Sequence, residues 1–203
     1  MQTAPFMSIG SRDYHLCKRC GARFLDHRLL PGGNEEKAHY DRHRNSMDDP
    51  GYRRFLARLA EPLIDRLAPG SHGLDFGCGP APVLAAMLRE AGHETVLYDP
   101  FYAPDRTVLT HPRDFITCSE TAEHFHDPAG EFERLVSLLR PGGWLAVMTC
   151  FQNDDTRFAD WHYRRDPTHV VFYRAETFLH IARTHGLACE IPRKDVVLMQ
   201  RPD

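Results

Sequence analysis

A glycine-rich turn between a short apolar strand and a helical segment is the feature that most constrains this chain. Residues 74–79 read Leu-Asp-Phe-Gly-Cys-Gly, and an apolar helical pattern runs from Val83 to a break at Gly92. Glycine lets a ligand approach the backbone with no side chain between them, and the start of the following helix offers free N–H groups. The pattern predicts a strand, a ligand-binding turn and a helix, as in nucleotide-binding α/β sheets.

Strand and helix patterns alternate from residue 72 to the end of the chain. The predicted strands cover 73–76, 94–98, 114–119, 144–149, 187–191 and 196–199, and the predicted helices cover 83–91, 131–140 and 175–185. Such alternation predicts a parallel sheet with helices on both faces. Only 14 residues, three of them prolines, separate Asp99 from Asp114. We therefore expect the helix after the second strand to be missing or a single turn, with at most a stub strand at 107–109.

The first 70 residues lack this alternation. Residues 1–33 are predicted to form an irregular segment that contains a Cys-x-x-Cys pair, and residues 34–70 a helical extension. In that extension, Asn34 is the predicted cap of a helix reaching about Arg44, and a longer helix follows Asp49. Pro62 is expected to kink or split the longer helix. The α/β domain is then expected to cover residues 71–203.

Charge and hydropathy exclude several classes of protein. The net charge of −3 provides no global basic field, which argues against bulk nucleic-acid binding but not against a local basic patch. No apolar run reaches the roughly 18 residues that a membrane helix needs, and the first ten residues lack a signal-peptide pattern. We therefore expect a cytoplasmic protein with no membrane partner and with reduced thiols. The sequence makes no prediction of the oligomeric state.

The turn differs from two common phosphate-binding loops. No Lys-Ser or Lys-Thr follows it, as a P-loop requires. A dinucleotide-binding fingerprint has a small residue at the position of Pro82, where it allows close helix–strand packing. It does not include an acidic residue inside the strand at the position of Asp75. A nicotinamide oxidoreductase is therefore the poorer match. Asp99, at the end of the next strand, suits a carboxylate that accepts hydrogen bonds from two ribose hydroxyls.

The motifs, in this order and spacing, resemble the class I S-adenosylmethionine (SAM)-dependent methyltransferases over about residues 50–203. They are Leu-Asp-Phe-Gly-Cys-Gly, the acid at Asp99, Asp-Phe-Ile-Thr-Cys-Ser-Glu from Asp114, Glu-His with Asp-Pro at 123–128, and Leu-Arg-Pro-Gly-Gly from Leu139. The resemblance implies a Rossmann-like, seven-stranded, mostly parallel sheet with an antiparallel last strand. It also implies a SAM site built from Asp75, Gly77, Cys78, Gly79, Asp99, Phe101 and Ser119. The third glycine that is usual in the family is Ala81 here.

Glu120, Glu123 and His124 follow the third predicted strand at i, i+3 and i+4. If a helical turn begins there, the three side chains share one face, and His169 is a candidate fourth metal ligand. The Glu-x-x-Glu-His motif resembles that of ubiquinone-pathway and small-RNA O-methyltransferases, in which a divalent ion binds the acceptor hydroxyls. Mixed oxygen and nitrogen ligands suit Mn²⁺ or Fe²⁺ as well as Mg²⁺. In the metal-free alternative, His124 or His169 is a candidate general base.

Cys17 and Cys20 offer two thiolates to a zinc ion, which needs two more ligands. His39 and His43 are candidates, but 18 residues separate Cys20 from His39, more than the roughly 12–15 of ordinary zinc fingers. We favour a metal-free remnant at this position. Tyr40 and its helix are instead expected to cover the cofactor as a lid.

The sequence thus predicts a SAM-dependent methyltransferase that acts on an oxygen of a small molecule, with or without a divalent ion. Two alternatives stay open. One is a methyltransferase of RNA or nucleotides that the N-terminal segment recruits, and the other is a SAM-binding module without catalysis. An aromatic segment has two interpretations as well: it either stacks on a flat acceptor or closes the core. Its members are Trp161, His162, Tyr163, Phe172 and Tyr173.

Overall fold

The computed structural model describes residues 2–42 and 46–203. The strands are β1 (Thr3–Ile9), β2 (Arg12–Cys17), β3 (Arg23–Leu25), β4 (His72–Phe76), β5 (Glu94–Tyr98), β6 (Arg113–Ser119), β7 (Leu139–Met148), β8 (Val171–Phe172), β9 (Ala188–Arg193) and β10 (Val196–Gln200). The helices are α1 (Gly33–Tyr40), α2 (Pro50–Ile64), α3 (Val83–Glu90), α4 (Pro128–Ser137) and α5 (Ala175–His185). None of the described helices is long and apolar enough to cross a membrane.

A six-stranded sheet in the order β5-β4-β6-β7-β10-β9 forms the centre of the fold. Strands β5, β4, β6 and β7 pair in parallel, whereas β10 runs antiparallel to both of its neighbours. The central strands are apolar along most of their length because both faces of the sheet are covered. Helices α2 and α3 cover one face with residues such as Leu59, and α4 and α5 cover the other with residues such as Phe132. This confirms the predicted Rossmann-like sheet with an antiparallel last strand.

The sheet has six strands and not the predicted seven, and the difference lies between β5 and β6. This connection contains one 3₁₀ helix, Arg106–Thr110, so the predicted abbreviation is confirmed, and residues 107–109 form part of this helix and not a strand. Three prolines in so short a segment remove backbone donors that a strand would need. Val108 and Leu109 instead pack on the core, and β5 remains at the edge of the sheet.

The N-terminal segment is not irregular, which corrects the prediction for residues 1–33. Strands β1, β2 and β3 form an antiparallel meander, and β8 from far along the chain completes the sheet order β1-β2-β3-β8. Tyr14 of β2 is buried, with its ring centroid 5.0 Å from that of Phe158. These strands show little alternation because several of their side chains are only partly buried, and their partner strand is remote in sequence. The proposed division of the chain at residues 33 and 70 stays a prediction.

Two predicted helix boundaries differ from the structure. Helix α1 begins after Gly32, whose N–H donates to Glu35 Oε2 at 3.1 Å, and ends at Tyr40, so the predicted cap at Asn34 is wrong. Its predicted end near Arg44 lies outside the described residues. Helix α2 runs through Pro62 and ends two residues later, so the proline does not split it. A proline close to a helix end is tolerated because few hydrogen bonds beyond it are lost.

Candidate active site

The carboxyl ends of β4, β5 and β6 open into one cleft of about 1110 Å³. The glycine turn after β4 forms its floor, residues 98–102 after β5 form one wall, and residues 119–127 after β6 form the other. Ligands of open parallel sheets bind at this edge, where the chain turns from strands into loops. Helix α1 lines the cleft as well, through Glu36 and Tyr40.

The turn after β4 requires glycine at Gly77 for two reasons. Its φ of +79° lies in the left-handed region, and an added Cβ would lie 2.2 Å from Thr121 Cγ2. Gly79 also has a positive φ, of +63°, but an added Cβ there would meet no atom within 4 Å. The backbone of the turn is therefore packed on one side and open beside Gly79. Cys78 lies between the two glycines and lines the cleft.

Asp99 connects this turn to the loop after β5. Its Oδ2 accepts a hydrogen bond from the Gly79 N–H at 3.0 Å, and its Oδ1 accepts from the N–H groups of Phe101 and Tyr102 at 2.8 and 3.0 Å. A carboxylate offers about four acceptor sites, so these three bonds leave about one for a ligand. Asp99 and Phe101 both line the cleft.

Asp75 and Ser119 lie deeper than the other residues predicted for the SAM site. Asp75 is 3% exposed and accepts a hydrogen bond from Thr117 Oγ1 at 2.8 Å. Burial raises its pKa to about 6. Asp75 lines a small cavity of about 20 Å³ beneath the turn rather than the main cleft. Ser119 lines both cavities, and its buried Oγ makes no hydrogen bond with the residues that the structure describes.

Glu123, His124 and His169 come together at the other end of the cleft. Glu123 and His124 belong to a 3₁₀ helix, Ala122–His124, whereas His169 precedes β8. One ligand atom from each lies within 4.8 Å of the others, and Glu123 Oε1 is 3.9 Å from both His124 Nε2 and His169 Nε2. Glu123 is fully buried, and its Oε2 makes no hydrogen bond with any described residue. The group therefore offers one oxygen and two nitrogen ligands.

Backbone contacts determine which nitrogen of each imidazole carries a proton. His124 Nδ1 is 2.9 Å from the Thr168 carbonyl oxygen, and His169 Nδ1 is 2.7 Å from the Tyr163 carbonyl oxygen. Since a carbonyl oxygen only accepts, each Nδ1 donates, and the neutral ring presents a lone pair on Nε2. Burial lowers the pKa of His169, which favours the neutral ring. Both lone pairs are thus on the nitrogens nearest Glu123.

Glu120 is not part of this group, which corrects the expectation of one shared helical face. Its φ is +47°, and the 3₁₀ helix begins only at Ala122, so Glu120 and Glu123 are not on consecutive turns of one helix. The Glu120 carboxyl instead lies 3.2 Å from the Tyr163 hydroxyl. Burial, and then the charge of Glu123, raise the pKa of Glu120 to about 9.

Tyr163 is the site residue whose role sequence analysis missed. Its hydroxyl donates to Glu123 Oε1 at 2.5 Å, and its ring centroid is 4.1 Å from that of His169. The sequence showed only that it lies in an aromatic segment. Most of that segment closes the core, as one of the two interpretations held, because Phe172 and Tyr173 are buried and Trp161 packs against them.

Helix α1 is fixed to both ends of the cleft. Glu36 Oε1 is 3.0 Å from His126 Nε2, and His39 Nε2 is 3.0 Å from Asp166 Oδ2. Just after the helix, Asp41 accepts a hydrogen bond from the Tyr102 hydroxyl at 2.7 Å. The ring centroid of Tyr40 is 5.8 Å from that of Phe101 and 5.2 Å from that of His124. Helix α1 thus covers part of the cleft, and its role as a lid over a cofactor stays a prediction.

Cys17 and Cys20 lie on the β2–β3 hairpin, away from the residues that line the cleft. Of the two histidines considered with them, His39 contacts Asp166, and His43 is outside the described residues. Within residues 2–42 and 46–203, the one group of three or more potential metal ligands is Glu123, His124 and His169.

Comparison with known proteins identifies a family of methyltransferases. A family model described as "Methyltransferase domain" matches residues 41–190, well over half of the chain. The curated ubiquinone biosynthesis O-methyltransferase of Aeromonas salmonicida is 33% identical over 98 residues, which are 47% of this chain and 40% of that protein. The chain is thus aligned with less than half of this relative.

Two solved structures from Burkholderia thailandensis share the fold. The 1,6-didemethyltoxoflavin-N1-methyltransferase, with bound 1,6-didemethyltoxoflavin and S-adenosylhomocysteine, has a TM-score of 0.57 at 15% identity over 98% of this chain and 99% of that chain. An O-methyltransferase family protein has a TM-score of 0.52 at 18% identity over 83% of this chain and 63% of that chain. At these identities the similarity concerns the fold alone.

Proposed function

Because this chain belongs to the class I SAM-dependent methyltransferases, we propose that it methylates an oxygen atom of a small-molecule acceptor with the help of a divalent metal ion. The observation that carries the proposal is the group of Glu123, His124 and His169 at one end of the cleft that begins at the glycine turn. A methyl donor and an acceptor in one cleft are held in line, which is the main requirement of this reaction. A cytoplasmic location remains a prediction.

The proposed SAM site consists of the residues around the glycine turn. The turn fits a ligand that approaches the backbone, because the space beside Gly79 is open. In this proposal the free acceptor site of Asp99 binds a ribose hydroxyl, and the ring of Phe101 packs against the adenine. Ser119 Oγ, which lacks a hydrogen-bond partner among the described residues, is the proposed donor or acceptor near the methionine end. When bound, SAM supplies an electrophilic methyl group.

The donor set at the other end fits a divalent ion. The buried Oε2 of Glu123 has no partner among the described residues, and the histidines present bare Nε2 atoms next to the same carboxylate. Histidine ligands whose other nitrogen is held by a backbone carbonyl are typical of metal sites. One carboxylate and two imidazoles suit Mn²⁺ or Fe²⁺, and Mg²⁺ less well. Such an ion would lower the pKa of an acceptor hydroxyl and orient it.

The same residues offer a reaction without an ion. The Nε2 lone pair of His124 or His169 can accept the proton of an acceptor hydroxyl, since both side chains line the cleft. Tyr40 would then exclude water from this imidazole, because its ring lies against that of His124.

Methylation of an amine is a second candidate function. Within the described part of the chain, no lysine or arginine forms an ion pair with the buried carboxyls of Glu120 or Glu123. In this candidate, a protonated amine binds beside these carboxyls in place of a metal ion and passes its proton to Nε2 of His124 or His169, which frees the amine lone pair for the methyl group. The two candidates differ in their requirement for metal, which makes them separable by experiment.

The test is release of S-adenosylhomocysteine from SAM with a panel of phenols, carboxylic acids, amines and RNA ends. Each acceptor is assayed in chelator-treated protein with and without Mn²⁺, after calorimetry has established SAM binding. We expect turnover of an oxygen acceptor that needs the ion and falls roughly 100-fold or more in His124→Ala and His169→Ala. His126→Ala is the matched control, because this histidine also lines the cleft but contacts Glu36 and not Glu123.

Each other result removes one part of the proposal. Full activity after chelation excludes the metal ion and favours a histidine base. Turnover of amines alone favours the second candidate, and turnover of RNA ends alone favours a nucleic-acid acceptor. SAM binding without any turnover indicates a module that binds SAM and has no catalytic role.

A further inference from the structure

The Cys-x-x-Cys pair takes no part in the proposed reaction, although it lies in a well-defined turn. Cys17 is the last residue of β2, and Cys20 lies in the turn that leads into β3. Two backbone hydrogen bonds close this turn: the Cys17 N–H donates to the Ala22 carbonyl, and the Gly21 N–H to the Cys17 carbonyl, both at 2.9 Å. Gly21 adopts a φ of +76°, which glycine accommodates without strain. The two cysteines are therefore held at the end of one hairpin.

The two thiols also affect each other directly. Burial, and then the proximity of Cys17, raise the pKa of Cys20 to about 11, although the Ala22 backbone opposes this. Burial acts in the same direction on Cys17, but backbone hydrogen bonds from Cys20 and Arg19 outweigh it, and the pKa of Cys17 is lowered. A pair in which one thiol ionises more readily than its neighbour is suited to thiol–disulfide exchange.

We propose that Cys17 and Cys20 form a reversible intramolecular disulfide by exchange with a small-molecule disulfide. The thiolate of one cysteine attacks a sulfur of the small disulfide, which breaks its S–S bond and expels one thiolate. The second cysteine loses its proton and attacks the first cysteine's sulfur, which forms the protein S–S bond and releases the second small thiol. The protein dithiol is oxidised by two electrons, and the small disulfide is reduced to two thiols.

The remaining four cysteines lie on other elements of the fold. Cys78 lines the cleft, Cys118 is fully buried in β6, and Cys150 and Cys189 are partly buried elsewhere. All six thiols are free in the structure, so each single cysteine is an internal control for the pair.

The hairpin is attached to the scaffold of the active site without being part of it. Thr177 Oγ1 of α5 donates to the Cys20 carbonyl at 3.0 Å, which holds the turn against the α/β core. At the end of β3, the Leu25 N–H donates to the Val170 carbonyl at 2.8 Å, and the Val170 N–H donates to the Glu123 carbonyl at 2.9 Å. The proposed disulfide lies at the far end of this connection, so it can be tested independently of methyl transfer.

The test uses the full chain equilibrated with mixtures of reduced and oxidised glutathione, quenched with acid and alkylated under denaturing conditions. As the oxidised fraction rises, we expect alkylated thiols to fall from six to four in one step, with Cys17 and Cys20 linked in the peptide map. Excess reductant should restore all six. Cys17→Ser and Cys20→Ser should lose the linked product, whereas Cys189→Ser should retain it.

Three results would overturn the proposal. One is alkylation of all six thiols at every glutathione ratio. Another is accumulation of a stable mixed disulfide with glutathione on either cysteine of the wild-type protein. The third is zinc in the purified protein that protects both thiols from oxidation and is lost in the two serine variants, because the pair is then a metal site.

Discussion

Replacement of Tyr163 by phenylalanine removes a single hydroxyl group from the candidate active site and keeps the ring. This hydroxyl donates to Glu123 Oε1 at 2.5 Å and also lies 3.0 Å from Thr149 Oγ1. The other oxygen of Glu123 has no partner among the described residues, and the side chain is fully buried. Tyr163→Phe therefore leaves a buried carboxyl without the one hydroxyl that supports it.

The expected loss of stability follows from this contact. A hydrogen bond to a charged group contributes about 1.5–3 kcal/mol, and an unpaired buried polar group costs a similar amount. We expect the free energy of unfolding of Tyr163→Phe to fall by about 2–3 kcal/mol. For a chain of this size, each kcal/mol corresponds to a shift in Tm of about 2–4 °C, so Tm should fall by roughly 4–12 °C.

The assay is reversible thermal unfolding of the apo protein followed by circular dichroism, with Tyr14→Phe as the matched control. Tyr14 is buried like Tyr163, with 1% and 7% exposure, but among the described residues its hydroxyl accepts only a long hydrogen bond of 3.3 Å from Arg164. We expect a loss of about 1 kcal/mol or less in this control. If Tyr163→Phe is no less stable than Tyr14→Phe, the hydroxyl does not support Glu123, and the reasoning is refuted.

Three further variants test the cleft. Gly77→Ala should reduce SAM affinity by at least about tenfold more than Gly79→Ala in calorimetry, because both alanines are strained by positive φ but only the first meets Thr121; equal losses would contradict this. Asp99→Asn should weaken SAM binding roughly 10- to 100-fold, since it removes a charged acceptor, and unchanged affinity would place the ribose elsewhere. The pKa of Glu120 is raised to about 9 in the folded protein, whereas it is 4.5 in the unfolded chain. Its contribution to stability is therefore present below pH 4.5 and lost as pH rises towards 9, and Glu120→Gln should flatten the fall of unfolding free energy with pH in denaturant titrations; an unchanged slope would assign the fall to other groups.

The central sheet could be predicted because its signals are local. Apolar runs bounded by Gly77, Asp99 and Gly186 mark strands and helices that are buried on the expected faces. The missing strand between β5 and β6 could be predicted in part, since the prolines and the short spacing are visible in the sequence. Formation of a 3₁₀ helix there depends on how Val108 and Leu109 pack on the core. This packing involves residues that are distant in sequence, so the local pattern does not predict it.

The N-terminal sheet could not be predicted because β3 pairs with β8, about 150 residues away in the chain. The group at the active site was found only in part for a related reason. Glu123 and His124 are adjacent in sequence and His169 was a candidate. The spacing also included Glu120, whose left-handed backbone keeps it out of the 3₁₀ helix and which is not part of the ligand group. Tyr163 had no signal beyond its aromatic neighbours, because its contact with Glu123 joins two distant loops.

Helix α1 touches the wall beside Phe101 through Tyr40 and the opposite end through the pairs Glu36–His126 and His39–Asp166. A ligand that contacts this helix at one end of the cleft would therefore change the energy of placing the helix over the other end. Thermodynamic linkage would make this effect reciprocal. The factor by which bound SAM changes the affinity for the acceptor would equal the factor by which the bound acceptor changes the affinity for SAM. In the proposed reaction, contact of both ligands with helix α1 would thus favour their simultaneous binding.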